Sequence, residues 1–535
     1  MKGNLFLLFV LCFQFALLAQ QDAWVYFSDK QNVATSIANP ISILSQKAID
    51  RKALYGVIID ERDVPVNESY IYQLKITKGI TVLAKSKWFN AIHVRGLEAD
   101  INALASLSFV NYIDFADKNL NTSKQVKQKK ESKFQETFTV FNYGNTANQI
   151  EMFNGDQLHL IDYTGTGMTV AVLDSGFPNV NIMSSFQRLR NSGLILGNYD
   201  FVNREEDVFA NTKDNHGTWV LSTMAGYVEN EYVGTAPDAS YYLFITEDVL
   251  NENPVEESYW VEAVERADSL GVDVINTSLG YGSFYDNANY NYNVSDYDGQ
   301  SIYMTKAANI AFEKGMLLVV SAGNEGSLGV NSPADSPNVL SIGAVNSTGR
   351  YASFSSEGSA IQPTQKPDVA AQGQASYVIN PNDVIGTLNG TSFSSPIIAG
   401  GITCLWQALP NKTNAEIMQL VRESASQYNN PDYFLGYGIP DLQLALNTAL
   451  SVNDVKGGGD LRVYPNPTTG KIFFKFPDRE EELSVSVYDI LGKEVKEVVL
   501  TTVSNQIDLS SLPRGIYLSK IESKKFSKTI KLVKN

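Results

Sequence analysis

The sequence predicts an α/β protein whose central unit is a mostly parallel sheet with helices on both faces. Strand-like and helix-like segments alternate through residues 141–450, and the strands are near-continuous apolar runs, as in a parallel sheet covered on both sides. A small α+β unit is predicted before this sheet, and a small β-sandwich after it. The 535 residues allow about three domains, and 44% hydrophobic against 19% charged residues excludes a largely disordered chain.

The formal net charge of −16 is distributed unevenly along the chain. Residues 1–140 carry +4, residues 141–450 carry −23 and residues 451–535 carry +3. This acidity argues against a nucleic-acid partner, because such proteins need clustered Lys and Arg to neutralise phosphates. The opposite charges of the first two segments favour their association.

Residues 1–19 are predicted to be a signal peptide. Lys2 provides the charged start, residues 5–18 are almost entirely apolar, and Ala19 offers a small residue for cleavage. A membrane anchor is the alternative interpretation of this segment. No later run reaches about 18 apolar residues, so we expect no membrane span in the mature protein.

The chain has two cysteines, Cys12 and Cys404, and three histidines, His93, His159 and His216. Because Cys12 lies in the predicted signal peptide, no internal disulfide is expected in the mature protein. The same counts exclude a zinc site built from Cys and His, and no metal ligand is assigned.

Residues 20–118 are predicted to form the small α+β unit. Residues 119–140 follow as a cleavable linker, since most of them are polar or Lys and few are apolar. In the α+β unit, strands are predicted at residues 23–27, 70–76, 89–94 and 109–115, and a helix at residues 98–107. In the central unit, strands are predicted at residues 168–173, 240–244, 272–278 and 317–321, and helices at residues 216–226, 256–270, 302–314 and 394–408.

The end of the chain has a different composition. Residues 451–460 contain a Gly triplet and are predicted to be a hinge. Residues 461–535 alternate apolar and polar side chains at period two, which predicts a β-sandwich. Its strands are predicted at residues 471–476, 483–488, 494–500, 516–521 and 528–533.

Four polar motifs lie where a parallel sheet places an active site, at strand ends and helix starts. Asp174 ends the strand in MTVAVLDSG, and Asn324 follows a strand in SAGNEG. His216 opens a helix in DNHGTWV, and Ser392 lies at a helix start in NGTSFSSP. Each motif alone is also typical of a turn or a helix cap. All four on one predicted sheet indicate a catalytic site.

The motifs AVLDSG, HGT, SAGNEG and GTSFSSP, in this order, closely resemble those of the subtilisin-like serine proteases, the subtilase family. The resemblance covers residues 141–450 and implies a subtilisin-like fold and a serine endopeptidase. The sequence departs from the usual family pattern around two of the motifs, where we expect changes in packing and pocket shape but not loss of catalysis. The departures are Trp219, Leu221 and Ser222 after the histidine, and Phe393 and Ser394 after the serine.

The chemistry of the residue types agrees with this resemblance. A serine hydroxyl is a weak nucleophile, and an imidazole can remove its proton near neutral pH. His216 is therefore predicted to be the base for Ser392, with Asp174 fixing its tautomer. Asn324 is predicted to donate a hydrogen bond to the oxyanion of the intermediate. The other two histidines are predicted to be structural.

The substrate-binding residues follow from the resemblance alone. In the family, the main chain after a Ser-Leu-Gly strand and the main chain before the Asn pair with an extended substrate. Residues 281–303, rich in Tyr, Asn and Asp, fit either a substrate rim or a long surface loop. The strong negative charge fits either a preference for basic peptides or a solvated acidic face. The predicted substrate-binding residues are Ser278, Leu279, Gly280, Ser321, Ala322 and Gly323.

The flanking units also resemble known domains. The α+β unit resembles a subtilase propeptide, which assists folding and acts as an intramolecular inhibitor until it is cut away. The tail resembles the C-terminal sorting domains of the type IX secretion system of Bacteroidetes, through VYPNPTTG, VSVYDILGKEV, LPRGIYLSKI and KTIKLVK. A carbohydrate- or protein-binding β-sandwich is the alternative for the tail.

These observations together predict a secreted or cell-surface serine endopeptidase that acts on protein or peptide substrates. Its other expected partners are its own propeptide and the type IX secretion machinery. No cofactor is expected to be required; calcium is a common structural ion of the family, but no ligands are assigned. The alternative function is a catalytically inactive surface adhesin or peptide-binding protein on the same fold. An esterase of the α/β-hydrolase kind is excluded, because the serine motif lacks the second Gly of Gly-x-Ser-x-Gly and the histidine precedes the serine.

Overall fold

The structure is a computed structural model that describes residues 20–121, 141–210, 213–282, 284–450, 461–476, 482–489, 493–523 and 527–534. The predicted signal peptide, the predicted hinge and residues 122–140 of the predicted linker lie outside the described residues. The chain divides into two compact units, Met1–Leu446 and Asn447–Asn535. The first unit contains both the front domain and the parallel sheet.

The front domain is a four-stranded antiparallel sheet, with strand order β2-β3-β1-β4, that packs on two of its helices. Val25 and Ile92 of the sheet share one core with Leu74 and Ile101 of helices α3 and α4. The α+β prediction for this domain is thereby confirmed. Its strands are β1 (Gln20–Phe27), β2 (Ile80–Ser86), β3 (Ala91–Leu97) and β4 (Val110–Phe115), and its helices are α1 (Val33–Ala38), α2 (Gln46–Leu54), α3 (Glu68–Lys75) and α4 (Glu98–Ala103).

The predicted strand at residues 70–76 is wrong, because this segment belongs to helix α3. The buried residues Ile71 and Leu74 are three positions apart, which is helical spacing rather than the alternation of a strand. The Asn67 side chain accepts a hydrogen bond from the backbone N–H of Ser69 at 3.0 Å and caps the helix start. The predicted helix at residues 98–107 is shorter than expected, since α4 ends at Ala103 and continues only as a 3₁₀ turn.

The central sheet has seven parallel strands in the order β13-β12-β11-β10-β5-β9-β6. Every residue of β5, β10, β11, β12 and β13 is buried, which explains their apolar sequences. This confirms the predicted fold class. Strands β6, β12 and β13 of this sheet were not predicted from the sequence. The strands are β5 (Thr169–Asp174), β6 (Ile195–Asp200), β7 (Tyr227–Val228), β8 (Tyr232–Val233), β9 (Ser240–Ile245), β10 (Val274–Thr277), β11 (Leu317–Ser321), β12 (Val339–Val345), β13 (Val369–Gln372), β14 (Ser376–Ile379) and β15 (Ile385–Leu388).

Helices cover both faces of this sheet. On β10, Ile275 packs in the same cluster as residues of α9 and α10, whereas the next side chain, Asn276, accepts a hydrogen bond from Ser395 of α11 at 3.1 Å. Because successive strand residues point to opposite faces, α9 and α10 lie on one face and α11 on the other. The helices are α5 (Ala147–Glu151), α6 (Gly155–His159), α7 (Gln187–Asn191), α8 (His216–Ala225), α9 (Val255–Leu270), α10 (Tyr303–Glu313), α11 (Thr391–Ala408), α12 (Asn414–Glu423) and α13 (Leu442–Leu450).

The front domain docks on α9 through a buried carboxylate. Glu265 accepts hydrogen bonds from the backbone N–H groups of Lys87 and Trp88, at 2.8 and 2.9 Å, and from the Ser86 hydroxyl. These three donors lie at the turn between β2 and β3. One carboxylate of the central unit therefore caps the end of a hairpin of the front domain.

A cluster of buried charges forms a second part of this interface. Lys52 of α2 contacts Asp268 of α9 at 2.7 Å and Asp63 of its own domain at 3.2 Å. Lys314, which follows α10, contacts Asp63 at 2.7 Å, and Arg51 also pairs with Asp268. None of these side chains is more than 3% exposed. Positive and negative groups from both domains thus pair with one another inside the buried interface.

The second unit is the predicted β-sandwich. Two antiparallel sheets, β16-β17-β20 and β19-β18-β21-β22, share one hydrophobic core. On β18 the alternating residues Leu483, Val485 and Val487 point into that core, as the period-two pattern predicts. The strands are β16 (Arg462–Tyr464), β17 (Lys471–Lys475), β18 (Glu482–Asp489), β19 (Glu494–Thr501), β20 (Gln506–Asp508), β21 (Gly515–Glu522) and β22 (Ser527–Lys534).

Candidate active site

The carboxyl edge of the central sheet brings Asp174 and His216 together. Asp174 is the last residue of β5 and is fully buried, and His216 is the first residue of α8. Nδ1 of His216 lies 2.8 Å from Oδ1 of Asp174. This close approach requires glycine at position 217, because a Cβ atom there would lie 2.5 Å from the carbonyl oxygen of Gly176.

The pKa of His216 is raised above its ordinary value. Burial alone would lower this pKa, but the charge of Asp174, its hydrogen bond to the imidazole and the charge of Asp214 together outweigh burial. Asp214 is held near the site by the Ser175 hydroxyl, which donates to its carboxylate at 2.8 Å. The two carboxylates therefore stabilise a positive charge on this imidazole.

Ser392 lies at the start of α11, the long helix that packs under β10 to β13. It is 8% exposed, and its hydroxyl donates to the carbonyl of Ser278 at 3.3 Å. The neighbouring ring of Phe393 is tilted against the His216 imidazole, with 6.0 Å between ring centroids. In the part of the chain that the structure describes, no hydrogen bond joins His216 and Ser392. The serine and the imidazole are therefore neighbours, with the hydroxyl turned to a carbonyl.

Asn324 is oriented by Thr391, the residue before Ser392. The Oδ1 atom of Asn324 accepts hydrogen bonds from the backbone N–H of Thr391 at 2.9 Å and from its hydroxyl at 3.1 Å. A backbone N–H can only donate, so the side-chain atom that faces it must be the oxygen. The Nδ2 group of this exposed residue is thereby left as the donor for a ligand.

The loop after β11 is shaped by Glu325, which the sequence did not identify as a functional residue. Its Oε2 atom accepts hydrogen bonds from the backbone N–H of Asn324 at 2.7 Å and from the hydroxyl of Ser356 at 2.9 Å. Gly323 has φ +110°, a conformation that side chains disfavour. Glu325 and Asp214 both lie inside the motifs SAGNEG and DNHGTWV, so their position in the motifs was the only available signal.

The predicted substrate-binding residues lie in two segments on either side of the Ser392 helix start. Ser278 is buried, and its hydroxyl donates to the carbonyl of Ser392 at 2.9 Å. The backbone N–H of Gly323 donates to the Thr391 hydroxyl at 3.2 Å. Leu279 and Gly323 are half-buried, Gly280 is exposed, and Ser321 and Ala322 are buried.

The other two histidines lie apart from this group and are buried. His159 is hydrogen-bonded to the Tyr143 hydroxyl at 2.8 Å and to the Thr235 carbonyl at 3.1 Å, and burial lowers its pKa to about 4. His93 bridges Asp22 and Ser258, with 2.8 Å to each, at the contact between the front domain and α9.

Among the described residues, no group of three or more His, Cys, Asp or Glu side chains has an arrangement that could hold a metal ion. No described helix combines the length and the hydrophobicity needed to cross a membrane.

The fold is a parallel α/β sheet, and the motif residues Asp174, His216 and Ser392 lie at strand ends and helix starts of this fold. Residues 165–438, more than half of the chain, match the family model described as the subtilase family. The chain therefore belongs to the subtilase family, and it is a subtilisin-like serine endopeptidase.

Several curated relatives are subtilisins. Subtilisin E of Bacillus subtilis (strain 168) is 32% identical over 301 residues, which cover 55% of this chain and 70% of that protein. Subtilisin of Bacillus pumilus is 31% identical over 301 residues, which cover 55% of this chain and 97% of that protein. Among solved structures, MycP1 from Mycobacterium smegmatis is 23% identical with a TM-score of 0.44, covering 60% of this chain and 89% of that one.

Two further family models match the flanking units. Residues 22–133 match the peptidase S8 propeptide domain of Bacteroidota, and residues 462–535 match a secretion system C-terminal sorting domain. Both resemblances seen in the sequence are thereby confirmed. The protein is made with a propeptide, and its sorting domain directs it to the cell surface or the medium.

Proposed function

We propose that Ser392, His216, Asp174 and Asn324 carry out peptide-bond hydrolysis through an acyl-enzyme. The observation that carries this proposal is the 2.8 Å contact between Nδ1 of His216 and Asp174 beside the helix start that bears Ser392. Since Nδ1–H donates to Asp174, the proton of the neutral imidazole is on Nδ1, and Nε2 is left as the acceptor. A rotation about the Cα–Cβ bond of Ser392 would move its hydroxyl from the Ser278 carbonyl to Nε2.

In the first half-reaction Ser392 becomes acylated. Its oxygen forms a bond to the scissile carbonyl carbon while its proton moves to Nε2 of His216, and the carbonyl π electrons move to the oxygen. The resulting oxyanion accepts hydrogen bonds from Nδ2 of Asn324 and from the backbone N–H of Ser392. The C–N bond then breaks, and the leaving amine takes the proton from His216.

In the second half-reaction water replaces the amine. His216 takes a proton from water as the water oxygen bonds to the acyl carbon, and a second oxyanion forms in the same place. When the C–O bond to Ser392 breaks, the serine oxygen takes the proton back. Asp174 accepts the hydrogen bond from Nδ1 and stabilises the imidazolium, which agrees with the raised pKa of His216.

The substrate is proposed to bind as an extended strand between two segments of main chain. Residues 278–280 follow β10, and residues 321–323 comprise the last residue of β11 and the two residues after it, so both segments leave neighbouring strands of one parallel sheet. Both segments are tied to the Ser392 helix start by hydrogen bonds through Ser278 and Gly323. An extended peptide that pairs with them would present its carbonyl to Ser392.

The flanking units are proposed to control where and when this chemistry occurs. The propeptide domain would remain docked on α9 and act as an intramolecular inhibitor until it is removed, with the first cut within residues 119–140. The sorting domain would engage the type IX secretion machinery. The chemistry requires no cofactor, and calcium remains a prediction without assigned ligands.

The test is hydrolysis of a peptide library by the secreted protein. Ser392→Ala should reduce kcat by about 10⁵-fold or more, because the nucleophile is lost. Ser327→Ala is a matched control, since Ser327 is an exposed serine in the same loop region as Asn324 and carries no proposed role. Unchanged activity of Ser392→Ala would refute the assignment. A folded wild-type protein without activity after propeptide removal would favour the adhesin alternative.

A further inference from the structure

The loop that follows the proposed substrate segment is held rigidly against α9. Residues 281–302, which lie between the proposed substrate segment 278–280 and α10, are called the tyrosine-rich loop; Ser283 lies outside the described residues. The hydroxyls of Tyr285 and Tyr292 both donate to Oε1 of Glu257 at 2.7 Å, and the Glu257 side chain is fully buried. Two described side chains of the loop are therefore tied to α9.

The tyrosine-rich loop contacts the propeptide domain at two places, near the beginning and near the end of that domain. At the first strand, the Tyr290 hydroxyl accepts a hydrogen bond from the backbone N–H of Asp22 at 3.3 Å and contacts the Gln21 side chain at 3.3 Å. At the last turn, Nζ of Lys118 lies 3.7 Å from the centroid of the Tyr292 ring. The loop is therefore in direct contact with the propeptide domain.

Lys118 has two partners on this loop. Its Nζ also lies 3.3 Å from Oδ2 of Asp296, and Asp296 is held in place because the backbone N–H of Asn293 donates to it at 2.7 Å. An exposed ion pair alone contributes little, and the Lys118 side chain is 42% exposed. The ring of Tyr292 adds a cation–π contact, and the hydrogen bond from its hydroxyl to Glu257 holds the ring in place.

The position of this contact along the chain gives it a consequence. Lys118 is the last residue before the predicted linker, residues 119–140, of which the structure describes residues 119–121. On the other side, the backbone N–H of Tyr292 donates to the carbonyl of Gly282 at 2.7 Å, and Gly282 is two residues beyond Gly280, the end of the proposed substrate segment. The contact between Lys118 and Tyr292 therefore links the end of the propeptide domain to the start of the tyrosine-rich loop, which follows the proposed substrate segment.

We propose that Lys118 is a positioning residue for maturation: held by Tyr292 and Asp296, it fixes the exit of the propeptide beside the substrate segment and so accelerates the first cut in the linker. This proposal rests on the proposed function, because the cut uses the acyl-enzyme route with water as the co-reactant. Fixing one end of the chain that is to be cleaved raises its effective concentration at the active site. The tyrosine-rich loop is, in this interpretation, a propeptide-binding element and not a rim for other substrates.

The experiment follows the processing of the full-length secreted chain over time by intact mass. Lys118→Met keeps an unbranched side chain, one atom shorter, but removes its charge, and should slow the appearance of the processed form by about 3- to 10-fold. Lys118→Arg should process at nearly the wild-type rate, because a guanidinium can make both contacts. Lys85→Met is the matched control, since Lys85 is a surface lysine of the same domain whose ion pair with Glu68 stays inside that domain.

A second pair of variants tests whether the contact itself matters. Asp296→Asn removes the charge while the amide oxygen can still cap Asn293, and it should slow processing in the same direction. In the double variant with Lys118→Met, the slowing should be less than the product of the two single effects, because both residues act through one contact. Independent, multiplicative effects would contradict the proposal.

The remaining outcomes separate this proposal from the proposed function. Once processed, Lys118→Met has the same mature sequence as the wild type, so its kcat/KM on a small peptide must be unchanged. Processing of Lys118→Met at the wild-type rate, or equal slowing by Lys85→Met, would overturn the role of Lys118 alone. Self-processing of the Ser392→Ala variant would instead overturn the proposed function.

Discussion

Thr391 donates two hydrogen bonds to Oδ1 of Asn324, from its backbone N–H at 2.9 Å and from its hydroxyl at 3.1 Å. The residue that precedes the proposed nucleophile thus orients the proposed oxyanion donor. The first two residues of α11 therefore set both the position of the Ser392 hydroxyl and the direction of the Asn324 amide. The first two predictions follow from this relationship.

Asn324→Ala should lower kcat by about 10²- to 10³-fold with little change in KM, because the lost hydrogen bond forms only to the oxyanion. A comparable loss, about 2.7–4 kcal/mol, is known for the Asn donor of subtilisin, a relative of this chain. Steady-state kinetics on a peptide substrate measure the effect. Asn382→Ala, at an exposed asparagine outside the site, is the control, and an equal loss in both variants would contradict the role.

Thr391→Val should lower kcat by about 5- to 30-fold, since it keeps the backbone N–H bond to Asn324 but removes the hydroxyl bonds to Asn324 and Gly323. The Asn324 amide would then be less firmly oriented. Combining Thr391→Val with Asn324→Ala should cost no more than Asn324→Ala alone. Additive losses would show that Thr391 acts by another route.

The pH dependence of kcat/KM should report the raised pKa of His216. The base must be neutral, so activity falls as the pH drops through this pKa. Asp214→Asn removes a negative charge that raises the pKa, and the acidic limb should therefore move to lower pH. Asp432→Asn, which is not among the charges that act on His216, should leave the limb in place. A shift to higher pH in Asp214→Asn would contradict the electrostatic account.

The hold of the propeptide on the processed enzyme should weaken as the pH rises toward about 7. In the docked state burial raises the pKa of Glu265 to about 7, against the charge of Lys87 and the hydrogen bonds from residues 86–88 that lower it. Because the docked state binds this proton more tightly than exposed Glu265 would, docking is strongest below the ordinary carboxyl pKa and loses that contribution through pH 7.

Size-exclusion chromatography of the processed protein at about pH 5 and about pH 8 measures this dependence. Glu265→Gln should abolish it and weaken docking at both values, because an amide group would face donors in place of a carboxylate oxygen. Glu423→Gln, on the exposed side of α12, should retain the wild-type dependence. A stronger hold at the higher pH would show that Glu265 does not titrate as described.

The sequence predicted the central sheet because its signals are local. Each buried strand of the sheet is a short apolar run, and parallel strands place their carboxyl ends at one edge, so Asp174 and Asn324 were both expected at that edge. The same local logic failed at residues 70–76, where Ile71 and Leu74 fit either a strand edge or a helix. Only the packing of α3 on the front sheet decides between them.

Other features depend on contacts between residues far apart in the chain and could not be predicted. Lys52 and Asp268 are separated by 216 positions, and nothing in either local sequence indicates a buried ion pair. The role of Thr391 in orienting Asn324 depends on the meeting of two loops 67 residues apart. The sequence left two interpretations of the tyrosine-rich loop, a substrate rim or a surface loop. Its contact with the propeptide domain could not be predicted, because the local sequence does not show what its aromatic rings contact.

The buried charges of the propeptide interface have a consequence for the enzyme after maturation. Glu265, Asp268 and Lys314 stay with the catalytic domain when the front domain departs, and all three are side chains that water solvates readily. If leucines lined an interface of the same area, propeptide removal would expose an apolar patch, and such patches promote self-association. With carboxylates and an ammonium group at these positions, removal of the propeptide would expose side chains that water hydrates at little cost.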